Sequence, residues 1–311
     1  MQIVRRLVHE ANELVRPVDR ALFAPRTTGD PPRPVFIVGP ARSGTTLLFQ
    51  ALAHAGEVGY LPQALDYAYG ASNLVFRAFS SRLSGHPASF GSRYGRTAGP
   101  FGPSEAFGFW RRWFWKGSAG DHRHGQPLPR PRADQLAKVV GEISAHGGRP
   151  LLVKCLYLSM AIPAIADAMP GARFIFVTRD ALETARSSLR AKLNGGHPTS
   201  WWSTRPPGFG EHLAESPEDQ VLWQMAAVAR TVASDLSALP PDRWVRVRYE
   251  ALCANPCKVL AEITGKLGLG LRQSNSLPER FEAADRFAID PAINARLQAS
   301  RYFPAAHEVL R

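Results

Sequence analysis

The stretch PVFIVGPARSGTTLLFQALAHA, residues 34–55, constrains the architecture of this chain more than any other. Four consecutive apolar residues, Val35 to Val38, suit a parallel strand covered on both faces. Gly39 opens a turn, and a helical pattern follows over residues 45–55 with Leu47, Leu48, Ala51 and Leu52 facing inward. A buried strand, a glycine loop and a helix form one βα unit, which commits the core to a largely parallel sheet.

Two more stretches carry the same rhythm. In RFIFVTRDALETARSSLRAK, Phe174 to Val177 read as a strand, Arg179 stands at its carboxyl end, and a helix starts near Ala181. In SPEDQVLWQMAAVARTVASDL, Ser216 is placed as N-cap, Pro217 at the first helical position, and Leu222, Met225, Val228, Ala229, Val232 and Leu236 form the apolar face. RWVRVRYE then reads as a strand carrying Tyr249, and NPCKVLAEITGKLG as a helix capped by Asn255 and ended by Gly268. The fold expected is α/β: a P-loop-like core with a mostly parallel sheet flanked by helices. It is expected as one domain over residues 1–311, divided into an N-terminal helix and linker (1–33), the loop unit (34–55), a long excursion (56–149), a second half (150–270) and a C-terminal segment (271–311). The excursion is rich in Gly, Pro, Arg and aromatics with weak periodicity, and reads as irregular or helical chain lying over the sheet.

A hydrophobic content of 45% in 311 residues supplies a substantial core. Lys and Arg number 38 against 26 Asp and Glu, a formal charge of +12, so anionic partners are favoured: nucleotide phosphates, nucleic acid or an acidic membrane surface. The three cysteines, Cys155, Cys253 and Cys257, make neither an even disulfide set nor a metal pattern, and buried thiols in a reducing compartment are expected. No apolar run is long enough to span a membrane, and the first residues lack the apolar core of a signal peptide, so a soluble cytoplasmic protein is expected. Ile3, Leu7, Ala11, Leu14, Val18 and Leu22 recur at helical spacing beside Arg5, Arg6, Arg16 and Arg20. That stripe is expected to pack on its own domain; the alternative is peripheral contact with a membrane.

Gly39 and Gly44 have the spacing of a nucleotide-binding phosphate loop, but Thr45 stands where such a loop has its lysine, and Arg42 lies inside the loop. Without the lysine, a β,γ-diphosphate loses its main protein cation. Backbone N–H groups at a helix N-terminus, two threonine hydroxyls and a guanidinium remain, a set suited to a shorter anion.

At RSGTTLL, Arg42 to Leu48, the sequence resembles the sulfotransferases that use 3′-phosphoadenosine 5′-phosphosulfate (PAPS), in particular the bacterial and Golgi-type branch with an R-S-G-T-T-L loop. The resemblance implies that Arg42, Ser43, Gly44, Thr45 and Thr46 cradle the phosphosulfate. Arg179 and Ser187, in RDALETARSS, match the family's 3′-phosphate segment, with Arg186, Arg190 and Lys192 adding to its field. Tyr249, in VRYEAL, matches a tyrosine near the adenine, and Lys154, in LLVKCL, a lysine near the sulfuryl group. The implied activity is sulfuryl transfer from PAPS to a hydroxyl or amine of a carbohydrate, lipid or small metabolite, without a metal.

The family's bases are not in their places. Two residues after Lys154 the cytosolic branch has a histidine and this chain has Leu156; the glutamate of the tyrosylprotein branch is replaced by the stretch YLPQ, with Pro62 and Gln63. Glu105, after a Gly-Pro-Ser turn and ahead of three tryptophans, is the leading substitute, followed by Glu57, Asp66 and His54; Ser104 and Glu105 would otherwise cap a helix. The cluster Phe107, Phe109, Trp110, Trp113, Phe114 and Trp115 with Arg111 and Arg112 reads either as core or as an acceptor platform, and Trp201 and Trp202 raise the same choice. The competing readings are a P-loop kinase of small molecules and a basic nucleic-acid-binding protein; nucleic acid is not the expected partner.

Overall fold

The computed structural model describes residues 2–23, 33–83, 90, 99–115, 124–195, 200–272, 277–282 and 291–311; in the first and third helices, side chains before residue 7 and beyond residue 79 fall outside the described ones. In chain order the elements are α1 (Gln2–Phe23), β1 (Val35–Val38), α2 (Thr45–Ala55), β2 (Gly59–Tyr60), α3 (Ser72–Leu83), α4 (Phe107–Phe114), α5 (Arg130–Gly147) and β3 (Leu151–Lys154). There follow α6 (Ile162–Ala168), β4 (Arg173–Thr178), α7 (Ala181–Asn194), α8 (Pro217–Ser237), β5 (Trp244–Arg248), α9 (Tyr249–Ala254), α10 (Pro256–Leu267), α11 (Pro291–Ala299) and α12 (Phe303–Leu310).

The five strands form one sheet in the order β2-β3-β1-β4-β5, and every pairing is parallel. β1 lies at the centre, with Ile37 opposite Lys154 on β3 and opposite Ile175 on β4. The chain leaves β1 toward β3 on one side and crosses to β4 on the other, which puts a ligand crevice at the carboxyl end of β1. All four residues of β1 are buried, as a strand covered on both faces requires. Phe36 stacks on Phe174 and meets Trp110 edge-on, with centroids 5.7 and 5.8 Å apart.

The local signals act as read. Ser216 accepts from the Asp219 N–H, Asn255 from Lys258 N–H, and Gly268 ends α10 in the left-handed region at φ 58°. Tyr249 differs: β5 stops at Arg248, and Tyr249 is the buried first residue of α9 instead of a strand residue. The excursion is more helical than its composition suggested. Leu136, Val139, Val140 and Ile143 give α5 a buried stripe at helical spacing, obscured in the sequence by its Pro- and Arg-rich start. Phe109, Trp110 and Trp113 go into the core.

The first helix is attached in an unexpected way. Its buried residues are polar: Asn12 accepts from the Gly70 N–H and donates to the Tyr67 carbonyl at 2.8 Å, and Asp19 accepts from the N–H groups of Asn73 and Leu74 at 3.0 and 2.8 Å. Asp19 thereby caps the start of α3. Gly70 approaches so closely that a Cβ there would lie 2.1 Å from the Asn12 carbonyl oxygen. The apolar stripe does not pack on the domain, because this polar face already occupies the contact: Leu7, Leu14, Val15, Val18 and Leu22 are exposed. Ile3, Arg5 and Arg6 of the sequence pattern have side chains outside the described ones.

Asp19→Ala removes both acceptors from two N–H groups at a buried helix start. Urea denaturation should show a loss of about 1–2 kcal/mol, with Asp19→Asn losing less.

Candidate functional site

The loop between β1 and α2 is held in a form few sequences can adopt. Gly39 has φ 144°, and a Cβ there would come 2.5 Å from the Val177 carbonyl oxygen of β4. Gly44 has φ 94°, and a Cβ would lie 2.1 Å from the Tyr249 ring. Arg42, between them, is itself left-handed at φ 66°, a conformation with a cost for a residue bearing a side chain, and one that is concentrated at functional sites. Ser159 fastens the loop from β3's side, accepting from the Gly39 N–H at 3.0 Å and donating to the Gly39 carbonyl at 3.2 Å. Ser43 is fully buried and its hydroxyl donates to the Pro40 carbonyl at 2.8 Å, so it shapes the turn from within. No side chain caps α2, and the N–H groups of Thr45 and Thr46 begin a helix whose positive end meets the crevice.

The residues that sequence reading drew from distant segments meet here. The Arg42 Nε donates to the Ser187 hydroxyl at 2.9 Å across 145 positions of sequence. The Arg179 guanidinium lies over the Tyr249 ring, 4.4 Å from its centroid, and that ring packs against Gly44. Arg179, Ser187 and Tyr249 are all buried, and Glu183 stands 3.8 Å from the Arg179 guanidinium. Two cations expected to strengthen this field are committed elsewhere. Lys192 is buried and donates to the Ser200 carbonyl and to Gln220, and burial lowers its pKa. Arg186 bonds Asn294 and Glu183.

On the β3 side, the Lys154 ammonium and the Glu105 carboxylate form an ion pair, the lysine side chain 2% exposed and the glutamate 26%. Glu105 reaches that point because its segment is tied to the chain after β2. Ser104 N–H donates to the Leu61 carbonyl, Gln63 N–H to the Gly102 carbonyl, and the Ser104 hydroxyl to Asp66 at 2.7 Å. Asp66 thus accepts a hydrogen bond from the residue next to Glu105 and helps to hold that segment. His54, late in α2, has its ring against Phe90, and Glu57 lies against Gly270 just before β2. Both sit at the amino end of a parallel sheet, whose ligand crevice is at the carboxyl end, so neither reaches it.

Tyr157 and Arg205 complete this side and had no sequence signal. The Tyr157 phenol is pushed up to about 12, chiefly by burial, with Cys155 and Glu105 adding to the shift and Arg205 opposing it. Cys155 is raised well above the ordinary thiol value, again by burial first, which makes it an inert core thiol. Tyr157, Phe107 and Trp115 make a compact aromatic group, with centroids 5.3 to 5.7 Å apart. Among the described residues no group of His, Cys, Asp or Glu is arranged to hold a metal ion, and no helix is long and apolar enough to cross a membrane.

The arrangement offers an anion cradle with two arginines and a paired carboxylate beside it, all at the carboxyl edge of a parallel sheet. The chain is similar in structure to a sulfotransferase from Mycobacterium avium (14% identity, 94% of this chain and 71% of that one, TM-score 0.49). It is similar likewise to one from Alicyclobacillus acidocaldarius (16%, 89% and 94%, TM-score 0.46). A third is the sulfotransferase domain of the Synechococcus PCC 7002 olefin synthase (15%, 92% and 96%, TM-score 0.47). No curated protein matches the chain significantly. The model of the sulfotransferase family matches residues 34–273, from the residue before β1 to just beyond α10, and the chain belongs to that family.

Proposed function

We propose that the protein transfers the sulfuryl group of PAPS to a hydroxyl of a carbohydrate, lipid or small-metabolite acceptor, with Glu105 as general base. The single observation that carries the reading is the bond from Arg42 to Ser187, which joins the lysine-free phosphate loop to the helix following Arg179. A bis-phosphorylated adenosine needs two anion sites within the reach of one nucleoside. The α2 N-terminus with Arg42, Thr45 and Thr46 supplies one, and Arg179 with Ser187 the other. The Gly44 cradle, which a Cβ would fill, leaves Tyr249 seated against the loop where an adenine edge can pack beside it.

When bound, the donor supplies a sulfuryl group whose S–O bond to the 5′-phosphate breaks as the acceptor oxygen forms its own. Arg42 and the loop N–H groups hold the charge that returns to the phosphate. Glu105 takes the acceptor proton, so the acceptor leaves as a sulfate ester and the carboxylate as an acid. Lys154 fixes the carboxylate and keeps a positive charge at the same point. The aromatic group of Phe107, Trp115 and Tyr157, adjoining Glu105, presents apolar faces on which the body of an acceptor can rest. A metal has no role in this reading, because a single phosphate at the loop has no β,γ-diphosphate to bridge.

Calorimetry should show adenosine 3′,5′-bisphosphate binding more tightly than ATP with magnesium, and Arg179→Ala should weaken the bisphosphate about 10- to 100-fold, as expected for a lost charged hydrogen bond. Tighter binding of magnesium ATP would instead favour a kinase. Glu105→Gln should lower turnover at least about a hundredfold with the bisphosphate affinity unchanged. Near-normal turnover in that variant removes Glu105 from the chemistry.

A further inference from the structure

A carboxylate stands among the cations at the end of β4. Glu183 lies in the first turn of α7, four residues after Arg179 and four before Ser187, so it shares a side of the helix with Ser187. One of its oxygens is bonded by the Arg186 guanidinium, and the other is 3.8 Å from that of Arg179. Arg186 is kept at this point from the far side, because its Nε donates to the Asn294 side chain of α11 at 2.6 Å. The neighbouring acids are bound to backbone instead. Asp180 accepts from the Glu183 N–H at 3.0 Å as the cap of α7, and Glu250 accepts from the Asp180 N–H at 2.7 Å.

An anion held jointly by Arg179 and Ser187 must lie beside this carboxylate, since Ser187 is one turn from Glu183 and Arg179 is within reach of it. Like charges at that range repel, and solvent screens the repulsion only in part. Burial decides which group gives way. The Arg179 side chain is 6% exposed and seated on the Tyr249 ring, whereas that of Glu183 is 29% exposed and can turn out to water. An acid in the first turn also suits the dipole of α7, but that benefit is the same whatever nucleotide binds. Dependence on a 3′-phosphate does not follow from it.

Resting on the function proposed above, we propose that Glu183 is the internal counter-ion of the 3′-phosphate site. It holds Arg179 and Arg186 in the unliganded protein and is displaced by the phosphate, which lowers the affinity for the bisphosphate and favours its release after transfer. The test is calorimetry of the full chain with adenosine 3′,5′-bisphosphate and with AMP, which lacks the 3′-phosphate. Glu183→Gln should bind the bisphosphate at least about fivefold more tightly than the wild type, with AMP unchanged within about twofold. Arg186→Gln should weaken the bisphosphate at least about threefold in the wild-type background and much less in the Glu183→Gln background, where no charge remains for it to neutralise. Both side chains are partly exposed, so the variants keep the fold. Bisphosphate binding that Glu183→Gln leaves unchanged or weakens, an equal gain for AMP, or an Arg186→Gln effect of the same size in both backgrounds overturns this role alone. A wild-type chain that binds the bisphosphate no better than AMP overturns the proposed function and this inference with it.

Discussion

The contact between Gly44 and the Tyr249 ring determines where everything else in the crevice can stand. With φ 94° and no room for a Cβ, Gly44 lets the tyrosine close on the phosphate loop, and the same ring carries the Arg179 guanidinium on its other contacts, 4.4 Å from the centroid. A guanidinium placed on an aromatic face is held through its flat face, and its N–H edge is the part that meets anionic groups. One missing side chain in the first βα unit therefore aligns the arginine delivered by β4 with the loop delivered by β1. Ser159 and Val177 fasten Gly39 at the opposite end, so the loop is pinned from β3 and β4 together.

The other half of the crevice depends on a charge pair that folding alone would not select. A lysine side chain that is 2% exposed, on a buried strand, carries a desolvation cost that one carboxylate only partly offsets, and replacing such pairs with apolar side chains is often neutral or stabilising. Its position one residue before Cys155, at the carboxyl end of β3 and level with Ile37, is a better explanation of its presence than stability is. Polar groups at the mouth of a parallel sheet serve ligands, while the apolar residues below them make the core. Asp66 and Ser104 spend a further hydrogen bond on fixing the segment that carries Glu105, which holds that carboxylate beside Lys154.

The parts of the fold set by local physics were legible: the four-residue buried strand, the caps at Ser216 and Asn255, and the left-handed glycine at 268. The loop arginine, Arg179 and Ser187 were legible as candidates through the resemblance of RSGTTLL and RDALETARSS to sulfotransferase segments, and Glu105 through its place between a Gly-Pro-Ser turn and three tryptophans. Tyr249 was misplaced because a β-favouring run, WVRVRY, continues through the residue where the backbone turns into α9, and nothing in the run marks that turn. Arg205 and Tyr157 were invisible, since their relation to Glu105 exists only once segments far apart in sequence have packed. α1 misled for a different reason. A hydrophobic stripe predicts burial only if the domain has an apolar surface to meet it, and here the domain offers the backbone N–H groups of residues 70, 73 and 74, which only the polar face of the helix can satisfy.

That polar attachment also ties the two ends of the molecule's surface together. His9 bonds the Tyr69 hydroxyl at 2.7 Å and Asn12 bonds Tyr67 and Gly70, so α1 grips the chain immediately after Asp66. Asp66 in turn holds Ser104, the neighbour of Glu105, and its carbonyl lies against Gly108 of α4, where a Cβ would stand 2.9 Å away. The short run from residue 62 to 71 is thus shared: one side anchors the first helix, the other positions the carboxylate beside Lys154. The exposed leucines lie on the side of the helix that takes no part in those bonds, so a contact made through them leaves the grip on residues 67–70, and with it the placement of Glu105, intact.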